Sequence, residues 1–430
     1  MEMHQKTKPV ALEKIRHKIT QGCTRCGFCT FFCPVYKETL NESFVARGKI
    51  ALMRDVMDGA RLLEPGFLEH MDTCLLCRAC VENCPTRVET DTMVLAARAD
   101  GVSQKNLPFH EKILFRHIVS KRKTFGRVVK AASKLQHILP GSEPSGSIRH
   151  LPHMISGLRE GRHIPRISEK FLRDLLPQMT LPPRGVETIG SVALFAGCGM
   201  EFIYPKIGVR MVEFLTHHGV EVHFPKAQGC CGVPVLSRGD SLTAERMAVQ
   251  NAQAFQQYDA VLTGCATCGA TLKEYGHRFN PVSSIRELFE SFSKNVVDLN
   301  QYLIDFLFGS DLHLEARKAY YGKKVTWHDP CHLVRYQGIK EQPRHILKAI
   351  SHVEYVEMPH ADRCCGMGGS FSIYHHDISR KIALRKARDI KSSGADLVVT
   401  ACPGCITQIN DALIQSDMPQ RAVHIMALFD

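Results

Sequence analysis

The stretch SVALFAGCGMEFIYPKIGVRMVEFLTHHGVEVHFPKAQGCCG, Ser191 to Gly232, changes rhythm three times. SVALFAG is a short apolar run that ends at Cys198, the pattern of a strand buried on both faces. Tyr204 to Gly219 has apolar residues at helical spacing and a glycine at its C-terminal end. Val220 to Pro225 is a second strand, and it leads into the loop Gln228-Gly229-Cys230-Cys231-Gly232. Downstream, Ala244 to Gln257 is helical again, and Asp259 to Gly264 is a third strand that stops at Cys265. Short connections between alternating strands and helices imply a parallel sheet covered by helices. In such sheets ligands bind beyond the carboxyl ends of the strands, where all these cysteines fall.

The unit occurs twice. Cys198, Cys230, Cys231, Cys265 and Cys268 correspond to Cys331, Cys364, Cys365, Cys402 and Cys405 at offsets of 133, 134, 134, 137 and 137 residues. The second copy reads KVTWHDPC (Lys324 to Cys331), PRHILKAI (Pro343 to Ile350), VEYVEMP (Val353 to Pro359), a helix from Ser379 to Gly394, and ADLVVTAC (Ala395 to Cys402). Five thiols per site exceed the four that a cubane or a zinc ion needs. Each site therefore has either one free thiol or a larger, non-cubane cluster. Gly232 and Gly366, after the paired cysteines, are expected to let the backbone approach a bulky inorganic core.

The first hundred residues carry Cys23-x2-Cys26-x2-Cys29-x3-Cys33-Pro34 and Cys74-x2-Cys77-x2-Cys80-x3-Cys84-Pro85. This doubled run is the two-cluster ferredoxin pattern, in which each fourth cysteine ligates the other [4Fe–4S] cluster. One cubane would take Cys23, Cys26, Cys29 and Cys84, and the other Cys74, Cys77, Cys80 and Cys33. Zinc sites use paired ligands rather than runs of four closed by proline. The insert Phe44 to Gly59 is expected to be a helix packing around the clusters.

The expected fold is α/β, α+β overall: a helical two-[4Fe–4S] ferredoxin-like domain (1–100), a basic helical linker region (101–190), and two pseudo-repeated parallel α/β cysteine-rich domains (191–310 and 311–430). The linker holds 16 Lys/Arg against 6 Asp/Glu, much of the chain's net charge of +12. Its densest run is Lys121 to Lys130, a solvated face or a docking surface for an acidic partner or anionic membrane. Turn-rich stretches lie at Leu139 to Ser147 and Leu181 to Gly185. Nucleic acid is not an expected partner, because no binding motif accompanies the charge. The N-terminal sequence lacks a signal-peptide core, and no apolar run reaches the roughly 18 residues of a membrane span. The expectation is a cytoplasmic protein, peripheral at most on the inner face of the membrane. The eighteen cysteines then fit metal rather than disulfides.

Both repeats resemble the CCG domain of heterodisulfide reductase catalytic subunits. Together with the paired ferredoxin motifs, the chain resembles the iron–sulfur subunit of glycolate oxidase and related D-lactate dehydrogenases. CTRCGFCTFFCPVY (Cys23 to Tyr36), ARGKIALMRDVMDG (Ala46 to Gly59), HMDTCLLCRACVENCP (His70 to Pro85), QGCCG, LKEYG (Leu272 to Gly276) and CCGMGGSF (Cys364 to Phe371) carry the likeness. It implies non-cubane [4Fe–4S] clusters at one or both five-cysteine sites. It also implies FAD on a partner dehydrogenase subunit, and a quinone-linked or cytochrome membrane partner further on. Glycolate-oxidase-type subunits often lack some of these cysteines, whereas this chain keeps all ten.

Other motifs carry less. Gly239-Asp240-Ser241-Leu242 spells a lipase-like tetrapeptide without a partnered histidine. Gly366-Met367-Gly368-Gly369 is not a dinucleotide fingerprint, and no flavin or nicotinamide motif occurs. His328, Asp329 and His332 flank Cys331 and could pass protons, although capping or packing is the plainer role. Two functions are compatible with this sequence. One is an oxidoreductase subunit that relays electrons from a flavin-dependent glycolate or D-lactate dehydrogenase and has no catalytic residue of its own. The other is a reductase acting on a disulfide or thiol substrate at the ten repeat cysteines.

Overall fold

The computed structural model describes residues 9–136, 147–148, 162–279, 283–309 and 312–429. The turn-rich stretch expected at Leu139 to Ser147 lies, but for its last residue, outside them. Leu181 to Gly185 is indeed irregular chain with a turn, closed by Val186 N donating to Pro183 O (3.0 Å).

Two sheets organise the C-terminal part. The first contains β1 (Met179–Thr180), β2 (Gly190–Leu194), β3 (Val220–His223), β4 (Val261–Thr263) and β5 (Val296–Asp298), in the order β1-β3-β2-β4-β5. The second contains β6 (Lys323–Trp327), β7 (Val353–Tyr355), β8 (Leu397–Thr400) and β9 (Arg421–His424), in the order β7-β6-β8-β9. Apart from β1 the order is the same in both, and all these pairings are parallel. β4 and β8 are buried at every residue, as parallel strands covered on both faces should be.

Two features differ from the three-strand reading of each repeat. Each sheet has a fourth parallel strand, β5 or β9, too short to give a periodic signal. β1 comes from the segment read as linker and pairs antiparallel with β3, so that it covers an edge whose backbone groups would otherwise be open.

Helices Pro205–His217 and Ser241–Phe255 cover the first sheet, and Glu341–Ala349 and His376–Ser393 the second, as the periodicity predicts. One apolar core runs through both repeats, from Val192 to Phe429. The ferredoxin-like part has its own core around Ile50, Met53, Phe67, Met71 and Val94, in which the expected helix, Ala46–Met57, packs. A third, smaller core joins it to the second repeat through Val35, Leu75, Cys77, Cys364, Phe371 and Ile382.

Helix Thr90–Lys105 runs across the expected 100/101 boundary. Its buried Arg98 donates to Met71 O, Cys74 O and Ser237 O, so one guanidinium joins the ferredoxin-like loop to the first repeat. Gly239 fits here for steric reasons: a Cβ would lie 2.4 Å from Arg98 O. Asp240 caps helix Ser241–Phe255 and receives Arg116 Nε at 2.7 Å. The lipase-like tetrapeptide is thus a helix start.

The segment between ferredoxin-like part and repeats is anchored on both sides. Phe125, in helix Arg122–Leu135, meets Phe202 edge-on at 5.0 Å. Arg162 donates to Ser372 O at 2.9 Å in the second repeat. No helix of the described residues is long and apolar enough to cross a membrane.

Candidate iron–sulfur sites

The two Cys-x2-Cys-x2-Cys loops share a backbone signature. In the first, Arg25 and Gly27 have φ of 60° and 81°; in the second, Leu76 and Arg78 have φ of 53° and 55°. Left-handed residues on either side of each middle cysteine curl the chain around a centre. For a non-glycine residue that conformation costs about 1–2 kcal/mol, so three such residues here imply that something enforces the curl.

Electrostatics and hydrogen bonds show which of these thiols lie near one another. Burial first, then Cys77 and Cys74, push the Cys33 thiol up to about 12, although the Tyr36 N–H opposes them. Cys80 is pushed well above its ordinary range by burial, with Cys74, Cys77 and Cys33 adding. The fourth cysteine of the first run therefore sits among the first three of the second. In the reciprocal direction, Cys84 Sγ lies 3.5 Å from Thr86 Oγ1, whose hydroxyl donates to Gly22 O beside Cys23. Cys29 is raised by burial, with Cys23 contributing. Cys26 is the exposed member of this set.

In the second repeat, Cys331, Cys364, Cys365, Cys402 and Cys405 all line one cavity of about 70 Å³. Cys331 comes from the first turn of helix Cys331–Gln337, Cys364 and Cys365 from the loop after β7, and Cys402 and Cys405 from the start of helix Pro403–Gln415. Cys365 and Cys405 are 3.4 Å apart. In the first repeat, Cys231 touches Cys230 and Cys268, Cys265 touches Cys268, and Cys198 touches Cys230. A smaller cavity, about 20 Å³, opens on Cys198 and Cys230 beside Arg122, Arg173 and Glu201.

The sets also adjoin one another, which spacing could not reveal. Cys77 contacts Cys364, which brings the second ferredoxin-like set against the second repeat. Cys265 contacts Cys402, and Thr267 Oγ1 lies 3.3 Å from Cys402 Sγ, which joins the two repeats. The Cys77 loop is held from both sides. Arg335 Nη1 donates to Cys77 O (3.3 Å) and Tyr336 OH to Leu76 O (2.7 Å). Arg78 pairs with Asp91 at 3.0 Å and Glu274 at 3.1 Å and lies over the Tyr336 ring.

All eighteen cysteines are free. In the repeats the crowded thiols split: Cys231, Cys365 and Cys402 are lowered by hydrogen bonds from neighbouring cysteines, while neighbours such as Cys198, Cys268 and Cys405 are raised, since adjacent thiolates without a cation repel. A metal removes that conflict by binding the deprotonated sulfurs. A cavity lined by five thiols fits an iron–sulfur group.

Gly232 and Gly366 share φ of 91° and 90°, and a Cβ on Gly366 would meet Ser379 O at 2.6 Å, in the following helix.

The three polar residues near Cys331 separate. Asp329 accepts from Trp327 Nε1 (2.8 Å) and binds Arg344 through both oxygens (3.0 and 2.8 Å), a structural assignment. His332 Nδ1 is 3.4 Å from Cys331 Sγ, and its ring stacks on Tyr336. His328 is buried and kept neutral, with burial pushing its pKa down to about 3 despite the Ala361 carbonyl beside it, and neither ring nitrogen has a well-aligned hydrogen bond among the described residues. A ligand atom of His328 lies within 4.8 Å of those of Cys365 and Cys405. Sequence reading noticed this histidine but not its position; aligning the repeats, which puts it opposite Phe195, would have set it apart.

Comparison with known proteins agrees with this arrangement. The 4Fe–4S dicluster domain matches residues 19–88, and the cysteine-rich CCG domain matches 192–273 and 325–410. A probable glycolate oxidase iron–sulfur subunit of Bacillus subtilis is 32% identical over 431 residues, covering 95% of this chain and 92% of the relative. The chain belongs to the glycolate oxidase iron–sulfur subunit family. Within the family's wider relations, one of the subunits of the CoM/CoB fumarate reductase from Methanothermobacter marburgensis is 28% identical, covering 96% of this chain and 72% of the relative. Lactate utilization protein A of Geobacillus kaustophilus is 33% identical over 238 residues, 54% of this chain and 96% of the relative. This member of the glycolate oxidase iron–sulfur subunit family is an iron–sulfur oxidoreductase subunit with an electron-transfer role, and its relatives imply a partner dehydrogenase subunit.

Proposed function

We propose that the chain takes electrons from a partner FAD-dependent 2-hydroxyacid dehydrogenase, acting on glycolate or D-lactate, and delivers them to a quinone-linked or cytochrome acceptor at the inner face of the membrane. An iron–sulfur cluster supplies one-electron storage and release at a potential set by its surroundings. The chain's part is to hold four such groups in series. Cys23, Cys26, Cys29 and Cys84 would hold the first cubane, and Cys74, Cys77, Cys80 and Cys33 the second. The two five-cysteine sets would hold non-cubane clusters.

The observation that carries the reading is the pair of contacts between sets, Cys77 to Cys364 and Cys265 to Cys402. With them, the order runs from the exposed first cubane through the second cubane and the second repeat to the first repeat. That order suits a relay better than separate storage sites. Cys26 at one end is exposed, whereas Cys402 and Cys405 in the middle are buried.

A second reading, reduction of a disulfide or thiol substrate at the repeats, is favoured by the completeness of both five-cysteine sets and by the likeness to the CoM/CoB fumarate reductase. Anaerobic purification of the native complex separates the two. Copurified flavoprotein, and bleaching of iron–sulfur absorbance by glycolate or D-lactate, are expected for the relay. Bleached clusters reoxidised by a small disulfide, with no flavoprotein present, would replace it with the reductase. Cross-ligation has its own test: Cys33→Ser should alter the EPR signal of the Cys74 set, and Cys84→Ser that of the Cys23 set. Each variant disturbing its own motif's signal instead would overturn the ligand assignment.

A further inference from the structure

The two five-cysteine sites are not chemically equivalent. Phe195 N donates to Leu262 O at 2.8 Å, and at the same place in the second sheet His328 N donates to Val399 O at 2.9 Å. The two residues follow β2 and β6 directly, 133 positions apart, as are Cys198 and Cys331. The first repeat thus places a phenyl ring where the second places an imidazole. Phe195 is fully buried beside Gly197, where a Cβ would meet Cys268 Sγ at 2.7 Å and Phe195 Cε1 at 3.5 Å.

His328 is 1% exposed; the Ala361 carbonyl lies beside its ring, but neither nitrogen makes a well-aligned hydrogen bond among the described residues. A buried ring nitrogen without a good partner is costly. The polar neighbours are engaged elsewhere. Asp329 is taken by Trp327 and Arg344, and Lys386 Nζ donates to His360 O and Ala361 O. The backbone is fixed by Val399 on one side and by Thr400 Oγ1, which donates to His328 O, on the other. Besides Ala361 O, which already accepts from Lys386, the ring meets sulfur: its nitrogen and the Sγ atoms of Cys365 and Cys405 lie within 4.8 Å of one another. An iron bonded to two thiolates at about 2.3 Å and one imidazole nitrogen at about 2.0–2.1 Å, the lengths typical of such ligands on a first-row metal, needs its donors no farther apart than that.

We propose that His328 is a nitrogen ligand to iron at the second five-cysteine site, bound with Cys365 and Cys405, and that the first site is bound by sulfur alone. The proposal rests on the reading of the second set as an iron–sulfur site. Where the imidazole takes an iron position that one of the five thiolates would otherwise fill, it removes a negative charge from the iron and raises its reduction potential, as in clusters with mixed His and Cys ligands. The second repeat would then be the easier of the two sites to reduce.

The test uses the full chain, purified anaerobically with its native iron, unlabelled and grown on 15N-histidine. Pulsed EPR should show a strongly coupled nitrogen that changes from the 14N to the 15N pattern on labelling. It should vanish in His328→Phe, which installs the first repeat's residue, and in His328→Cys, which keeps a ligand but not the nitrogen. It should persist in His332→Phe. 57Fe Mössbauer spectra, which read iron in either oxidation state, should lose one distinct iron subsite in His328→Phe and regain an all-sulfur one in His328→Cys. The ferredoxin-type signals, unchanged, report that each variant is folded. A fully iron-loaded chain with no histidine nitrogen coupling and no distinct subsite, or a coupling that survives His328→Phe, overturns the proposal alone. Iron confined to the two cubanes would overturn the reading of the second site, and the proposal with it.

Discussion

At the scale of single residues, the two glycines that follow the paired cysteines make a matched experiment. Both hold φ near +90°, so an alanine at either pays a backbone penalty of about 1–2 kcal/mol. Their surroundings differ. The nearest atom to a Cβ on Gly232 is Ala244 O at 3.6 Å, ordinary contact, whereas on Gly366 it is Ser379 O at 2.6 Å. Gly366→Ala must also displace the helix His376–Ser393, which overpacking data put at about 1–3 kcal/mol more. Denaturant unfolding of the two anaerobic variants should therefore show Gly366→Ala as the less stable. Equal losses would mean that φ alone sets the requirement.

Among the elements, helix Arg122–Leu135 has a face to spare. Phe125 packs on Phe202 and Lys130 lies over the Phe171 ring, which fixes the inner side against the first repeat. Lys123, Arg127 and Lys134 point outward next to exposed Val128 and Leu135. If this face meets an acidic partner, replacing the three cations with glutamine should slow association about tenfold or more at low salt, and the difference should shrink near 0.15 M, where the Debye length is about 8 Å. Stopped-flow binding to the partner dehydrogenase measures it, and rates indifferent to salt and substitution would leave the helix a solvated face. The run was plain in the sequence; its division into a packed side and a free side was not, because that depends on Phe202 and Phe171, distant in the chain. The same distinction holds elsewhere. Strands such as Asp259 to Gly264 were legible because burial on both faces leaves an unbroken apolar run. β1 and β5 were not, because two or three residues carry no period. The cysteine sets were legible from spacing alone, since their sulfurs must meet. Contacts between sets, and the grip of Arg335, Tyr336 and Arg98 on the ferredoxin-like loops, arise only when three units pack together.

On the scale of the whole molecule, the contacts between thiol sets impose an order that can be broken in the middle. Electron tunnelling falls steeply with distance, so a relay built on contact depends on every member. The second repeat touches the ferredoxin-like part through Cys364 and Cys77, and the first repeat through Cys402 and Cys265. Cys365→Ser with Cys405→Ser removes two thiols of that middle site, and leaves untouched the residues that hold Cys77 and Cys265. Iron should be lost from the second site only. Electrons fed from the exposed Cys26 end should still reach both cubanes, whereas reduction of the first-repeat site should slow by about tenfold or more, a barrier increase of at least ~1.4 kcal/mol. Freeze-quenched EPR at successive times, with each site's signal assigned beforehand, follows the two populations separately. Were the first repeat reduced as fast as in the unaltered chain, its electrons would have to come by another way, and the opening beside Cys198, between Arg122 and Arg173, is where the structure offers one.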